Sequence, residues 1–416
     1  MILMIKNYLR GEKNMNKKVS STWILLSLAI SAFAIGSTEF ISVGIMPLLT
    51  KTFGISLSQG GLTVSIYALG VMIGAPVLAL LTNRWDRKKL LVGIMISFII
   101  GNLLAALASN FTILLAGRVI AALSHGIFMT IASLIAADVV APNKRASAIA
   151  VMFTGLTVAT ITGVPIGTFI GNNFGWILSF FFLVALGLVG LITNIILVPN
   201  KLPLPKPTSA IGIWKILKQP QLLLILLITA LGYGATFPIY TYLTTVLNKN
   251  MGWSEGAIVI ILIFYGATVA IGNTLGGKWA NKRPLPALLK MFIGLGVALI
   301  IIRLTINMHF LGLFAVLLLG LFAFMNVPGL QLYIVQLAEK YTPNEVPLAS
   351  ALNISAFNVG ITLGSTAGGQ AVAHGQLLNT PWIGIAMLVV SMILIWILMK
   401  MEKATVSSEE LDLENC

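Results

Sequence analysis

The chain has 416 residues, 58% of them hydrophobic and only 9% charged, with a mean hydropathy of +0.98. A soluble globule carries about 25% charged residues, so the composition excludes one and specifies a polytopic membrane protein. The net charge of +14, from 26 Lys and Arg against 12 Asp and Glu, leaves a nucleic-acid partner and a membrane-topology signal to be separated by where the basic residues fall.

Residues 1–21 form a basic N-terminal segment whose first fourteen residues are too short and too charged for a cleavable signal peptide. Apolar stretches long enough to cross a bilayer, about 20 residues each, then follow at 22–49, 58–82, 90–108, 112–137, 146–171, 176–198, 222–247, 256–277, 286–306, 309–338, 347–373 and 380–400. The expectation is an all-α membrane protein of twelve transmembrane helices. With the N-terminus in the cytoplasm, the even-numbered connections collect every Lys and Arg except Lys51, Lys249 and Arg303 outside and Arg118 within a span. This is the positive-inside pattern. The basic surplus is therefore topogenic, both termini are expected in the cytoplasm, and no nucleic-acid partner is expected.

The longest connection, 199–221, carries Pro203, Pro205, Pro207 and Pro220 with four lysines, the composition of a linker. It divides the chain into six-helix units at 22–198 and 222–400, followed by a cytoplasmic tail, 401–416, that holds the single cysteine, Cys416. One cysteine excludes an internal disulfide, a Cys-ligated zinc site and a redox pair. The three histidines, His125, His309 and His374, show no metal-ligand spacing, and no metal or cofactor is expected.

The halves repeat one another. The string from Gly74 to Arg84, ending the second span, matches that from Gly272 to Lys282, ending the eighth, and Pro142-Asn143 answers Pro343-Asn344. Ala146-Ser147-Ala148 and Ala349-Ser350-Ala351 follow those prolines in turn. A parallel six-helix repeat is the build of carriers whose halves rock about a central site, which favours alternating access over a channel or a membrane enzyme.

Glu39 is the acidic residue that no helix end, loop or tail accounts for. An ionisable group at membrane depth is costly and marks a functional site by default. At 1.5 Å per residue it lies about 25 Å along the outward-running first span, while Arg118 and His125 lie about 9 and 20 Å along the inward-running fourth. Arg118 and His125, seven residues apart, share nearly one face, and Glu39 falls at a depth between them. Three readings stand: a proton-exchanging carboxylate whose surroundings alternate between wet and closed, with Arg118 and His125 beside it, a permanently paired structural Glu39–Arg118 bridge, or a Glu39 simply kept neutral. Arg118 alone also suits snorkelling to the outer interface, and His125 alone suits either a relay or a packing residue.

Five strings resemble the major facilitator superfamily, and within it the twelve-helix drug:proton antiporter family, in the branch of sugar, arabinose and purine efflux permeases and chloramphenicol exporters. They are Ser37-Thr38-Glu39-Phe40 with Gly44 and Pro47; Asn83-Arg84-Trp85-Asp86-Arg87-Lys88-Lys89; Arg118 to Gly126; Gly163-Val164-Pro165-Ile166-Gly167; and Ala349 to Gly360. The resemblance covers essentially the whole chain and implies two pseudo-symmetric six-helix bundles, the major facilitator fold. It places the first and fourth helices on a central cavity, makes Gly155, Gly163, Pro165 and Gly167 a kinked, leak-resistant antiporter helix, and gives Asn83, Arg84, Asp86, Arg87 and Lys88 a gating role. The family's loop aspartate is replaced here by Asn83, a departure that Asp86 can partly offset.

Substrate-cavity candidates in the second half are Tyr233, Phe237, Tyr240, Asn326, Gln331, Asn353 and Asn358. Uncharged hydrogen-bonding groups beside aromatic faces suit a neutral or weakly polar small molecule, although interhelical hydrogen bonding uses the same residues. The combined expectation is a proton-coupled secondary transporter, not an enzyme. It would export a sugar, a nucleobase or nucleoside, or a drug such as chloramphenicol, from a bacterial inner or plasma membrane, and act as a monomer. No phosphate-binding loop is present, so the proton gradient is the implied drive. The rivals are a uniporter or proton-coupled importer, and a non-transporting sensor or enzyme, for which no catalytic constellation is visible.

Overall fold

The computed structural model describes residues 20–82, 85–141, 145–200, 202, 210–280 and 283–414. Among them twelve helices are long and apolar enough to cross a membrane, and there is no strand. In a bilayer the backbone must satisfy itself within each segment, so continuous apolar runs fold as helices. The first four spans are Ser21–Phe53, Leu57–Leu81, Arg87–Ala106 and Phe111–Asp138. Their ends have local causes. Gly54 closes the first span at φ 63°, where a side chain would be strained. Ser56 and Gln59 form a reciprocal capping box on the second. The side chains of Asp86 and Asn110 accept from the backbone N–H of Lys89 and Ile113 to start the third and fourth.

The fifth span runs as Arg145–Val158, a π-helical turn Ala159–Gly163, and Val164–Phe174, and the sixth as Trp176–Leu197. Within the connection 199–221 a short helix, Ala210–Lys218, precedes the seventh span. The seventh is broken into Pro220–Gly234, Phe237–Tyr240, Leu243–Thr245 and a π-helical turn Val246–Asn250. The eighth and ninth are Glu255–Ala280 and Pro284–Thr305. The tenth is split into His309–Ala323 and Val327–Tyr341. The eleventh is Val346–Ala373, and the last helix, Thr380–Glu414, carries the twelfth span and continues into the tail.

Three of these interruptions share a cause. Pro165, Pro238 and Pro328 lack the N–H that would bond the carbonyl four residues back, and those carbonyls belong to Ile161, Gly234 and Phe324, at the π-turn and the two breaks. Glycines let neighbouring backbones close on these helices, as small residues do in lipid. A Cβ on Gly155 would stand 2.0 Å from the Ala29 carbonyl oxygen and one on Gly163 2.0 Å from Ser37 Oγ, so the fifth span is pressed against the first. Gly360, Gly364 and Gly368 of the eleventh span likewise abut Ala230, Gly234 and Pro238, around the break in the seventh.

The two halves meet chiefly at the end of the bundle away from Ser21. There Thr244 Oγ1 donates to the Val43 carbonyl at 2.7 Å, Ser58 Oγ to the Gly369 carbonyl at 2.8 Å, and the hydroxyls of Ser65 and Ser365 lie 2.7 Å apart. Phe40, Val43 and Met46 of the first span are part of the second half's apolar core. The gating-loop candidates hold the opposite end of the first half. Arg87, buried, forms an ion pair with Asp138 between the third and fourth spans, and Lys88 Nζ donates to the Ile195 carbonyl at 2.8 Å. Asn83 and Arg84 lie outside the described residues.

Candidate functional site

A cavity of about 160 Å³ lies between the halves, at the interrupted middles of the fifth, seventh and tenth spans. Leu156 and Thr157 line it just before the π-turn, Tyr233 at the end of the first segment of the seventh span, and Phe324 and Val327 on either side of the break in the tenth. Discontinuous helices at a repeat interface are where carriers commonly place their sites. The roof, toward the sealed end, is aromatic: the Phe40 ring packs against Phe237, Tyr240 and Phe324 at centroid distances of 6.1, 5.7 and 5.9 Å.

Glu39 lines the cavity and is 8% exposed. Its carboxylate has no hydrogen bond or ion pair among the described residues. Arg118, 1% exposed, sits behind it with its guanidinium committed to backbone. Nη1 donates to the Thr38 carbonyl at 2.6 Å, Nη2 to the Glu39 carbonyl at 3.1 Å and Nε to the Thr63 carbonyl at 3.2 Å. A helix carbonyl has a second lone pair beyond its intrahelical bond, so Arg118 ties the first, second and fourth spans together without unwinding any of them. The Tyr67 ring covers the guanidinium at 4.1 Å. The Glu39–Arg118 relation is thus carboxylate near cation, with no bridge between the two side chains. His125 lines the cavity, and its Nδ1 lies 3.3 Å from the Tyr67 hydroxyl. Arg118 and His125 are linked through Tyr67, and Glu39 joins them through the bond from Arg118 to its carbonyl.

The second-half candidates divide. Tyr233, Gln331 and Asn358 line the cavity, whereas Phe237, Tyr240, Asn326 and Asn353 do not. Phe237 and Tyr240 belong to the roof. Asn353 is buried between two partners, accepting from Thr229 Oγ1 and donating to Gln331 Oε1, each at 2.8 Å. Gln331 in turn donates to Ser350 Oγ at 2.6 Å. This amide chain joins the seventh, tenth and eleventh spans. Of the helix-5 group, Gly155 and Gly163 pack on the first span, Gly167 meets Ile41, and Pro165 follows the π-turn.

Sequence reasoning passed over Asn273, Phe324, Phe357 and Phe40 as lining residues. Asn273 carried a usable signal, because it is a polar residue inside an apolar span. The aromatics carried none, since rings are common throughout such spans and only packing selects those that face the cavity.

Twelve spanning helices in two packed halves, with a central cavity at mid-span helix breaks, define a membrane carrier. The chain belongs to the major facilitator superfamily: residues 28–342 match the model of that family. It is 52% identical over 370 residues to the uncharacterized MFS-type transporter YtbD of Bacillus subtilis (strain 168), covering 89% of this chain and 93% of that protein. It is 36% identical over 352 residues to the inner membrane transport protein YdhP of Escherichia coli (strain K12), covering 84% and 89% respectively. The fold also matches the crystal structure of a bacterial homolog of the human lysosomal transporter Spinster in an inward-facing and unoccupied conformation. That match has a TM-score of 0.68 at 17% identity and covers 91% of this chain and 97% of that one. The protein is a transporter of this superfamily.

Proposed function

We propose that the protein is a proton-coupled exporter of a small organic compound, working by alternating access in a bacterial inner or plasma membrane with both termini in the cytoplasm. The observation that carries this reading is Glu39: a buried carboxylate on the cavity wall with no described partner, whose neighbouring cation has its donors engaged elsewhere. An unpaired charge at that depth is costly. A proton or a bound substrate relieves that cost, and alternation between the two couples their movements.

With the basic connections in the cytoplasm, the sealed end faces outward, and the Phe40 cluster together with the Thr244–Val43 and Ser65–Ser365 contacts forms the outer gate. Opening that gate would expose Glu39 to external protons. Breaks in the fifth, seventh and tenth spans supply the points at which the halves can bend as they rock. A neutral substrate was expected partly from Asn353 and Asn326, and neither lines the cavity, so the charge of the substrate rests on the groups that do.

The test is uptake into proteoliposomes under an imposed pH gradient, with a panel of sugars, nucleosides, antibiotics and amines, comparing wild type with Glu39→Gln. Gradient-driven flux should fall at least about tenfold in the variant, given that the coupling carboxylate is lost. Substrate exchange without a gradient separates lost coupling from weakened binding at Glu39. Equal gradient-driven flux in both proteins would remove the coupling role, and uptake that runs with the proton gradient would mark an importer.

A further inference from the structure

We infer that the cavity selects a compact aromatic cation, of the amidinium or arylammonium kind, held by hydrogen-bond acceptors at opposite walls. The inference rests on the transporter reading and names the chemistry of the compound carried. Among the described residues lining the cavity, Glu39 is the sole formally charged side chain, because Arg118 lies behind the wall and its nitrogens engage three carbonyls. No committed cation therefore awaits an anion.

On the facing wall, Asn358 Nδ2 donates to the Ile354 carbonyl at 2.9 Å. That bond fixes the amide orientation and leaves Oδ1 as a buried acceptor without a partner. Asn273, from the eighth span, also keeps a buried Oδ1 without a partner. Gln331, by contrast, is already bonded at both ends of its amide. The buried polar atoms left without a partner on the lining residues are thus these two amide oxygens, both acceptors, and a buried acceptor left unmet is costly. A ligand that donates N–H groups satisfies it, and an amidinium meets a carboxylate with charge-assisted bonds.

The remaining walls are Phe40, Tyr233, Phe324 and Phe357, with Tyr233 edge-on to Phe357 at 4.9 Å and to Phe324 at 5.4 Å. Such faces attract a cation and stack with a ring. Size agrees: the cavity measures about 160 Å³, and an apolar cavity of about 150 Å³ takes up benzene.

Three probes of one shape separate charge from fit: benzamidine, benzamide and benzoate. Equilibrium binding of each, radiolabelled, is measured on the purified full-length protein in nanodiscs at neutral pH without a gradient. Benzamidine should bind at least about tenfold more tightly than benzamide, since its bonds to Glu39 are charge-assisted, and benzoate should not compete. Glu39→Gln should bring benzamidine and benzamide to within about twofold of each other. Asn358→Leu, of similar volume, should weaken benzamidine about fivefold while Glu39 is intact. Each variant is first matched to wild type by size-exclusion profile, and Asn358→Leu carries the test if Glu39→Gln does not fold. Benzamide or benzoate binding as tightly as benzamidine, a benzamidine preference that survives in Glu39→Gln, or no binding of any probe would overturn the assignment. The two proposals fail separately. The expected binding order with no gradient-driven flux removes proton coupling alone, and Glu39-dependent flux with the opposite binding order removes the cation class alone.

Discussion

Arg118 holds Glu39 by its backbone: Nη2 lies 3.1 Å from the Glu39 carbonyl oxygen, and the carboxylate of the same residue is left to the cavity. The cation therefore positions the acid and shapes the field around it without neutralising it in a bridge. It does so while anchoring Thr38 and Thr63 as well, so one guanidinium sets the relative placement of three spans.

Replacement of Arg118 by Lys should destabilise the protein although the charge is kept. A lysine ammonium is a compact point charge and does not reproduce the planar fork that reaches three carbonyls. The expected loss is about 1–3 kcal/mol, read as a lower unfolding temperature in detergent. A wild-type unfolding temperature in Arg118→Lys would show that the three carbonyl bonds contribute little.

Gly163→Ala should loosen the contact between the first and fifth spans, because the added Cβ would stand 2.0 Å from Ser37 Oγ and 2.9 Å from Ser37 Cβ. Overpacking of this kind costs about 1–3 kcal/mol. Gly277→Ala is the control, with its nearest neighbour at 3.7 Å. Thermal unfolding of the two variants side by side decides the matter, and equal stability would contradict the packing.

Ser65 and Ser365, with hydroxyls 2.7 Å apart across the two halves, are placed for cross-linking. In a Cys416→Ser background, where no native cysteine remains, Ser65→Cys with Ser365→Cys should form a disulfide under mild oxidation. Transport should stop and return on reduction, because the bond holds the far end shut. Full transport by the oxidised, cross-linked protein would mean that this end does not need to open.

Asp138→Asn should weaken the junction of the third and fourth spans, since it leaves the buried Arg87 guanidinium without its carboxylate partner. Breaking a buried pair on one side costs about 3–5 kcal/mol; the partial exposure of Asp138 brings the expectation toward the lower figure. The double variant Arg87→Met with Asp138→Leu should recover part of the loss, measured again by thermal unfolding. No recovery would point to bonds beyond the pair itself.

The spans and the outlying acid were readable because each is a local property. A run of apolar residues such as Trp176–Leu197 is recognisable without knowing its neighbours, and so is one carboxylate inside such a run. The amides of the second half were less readable. Asn353 and Asn358 lie five residues apart on one helix and look alike in sequence, yet the first is bonded to Thr229 and Gln331 while the second keeps an unmet carbonyl. That difference depends on which helices stand opposite each face. The broken tenth span fell in the same gap, because Pro328 marks a weak point while its neighbours decide whether the helix opens there.

The sequence by itself determined the number of spans, the six-plus-six division and the position of Glu39 along the first span, because transfer to lipid and rise along a helix follow from composition and position alone. Tertiary structure decided which residue Glu39 meets, which end of the bundle is sealed and which polar atoms remain unmet in the cavity. Those outcomes turn on the rotation of each helix about its axis and on the satisfaction of hydrogen bonds between segments far apart in the chain, as between Arg118 and the carbonyls of Thr38, Glu39 and Thr63.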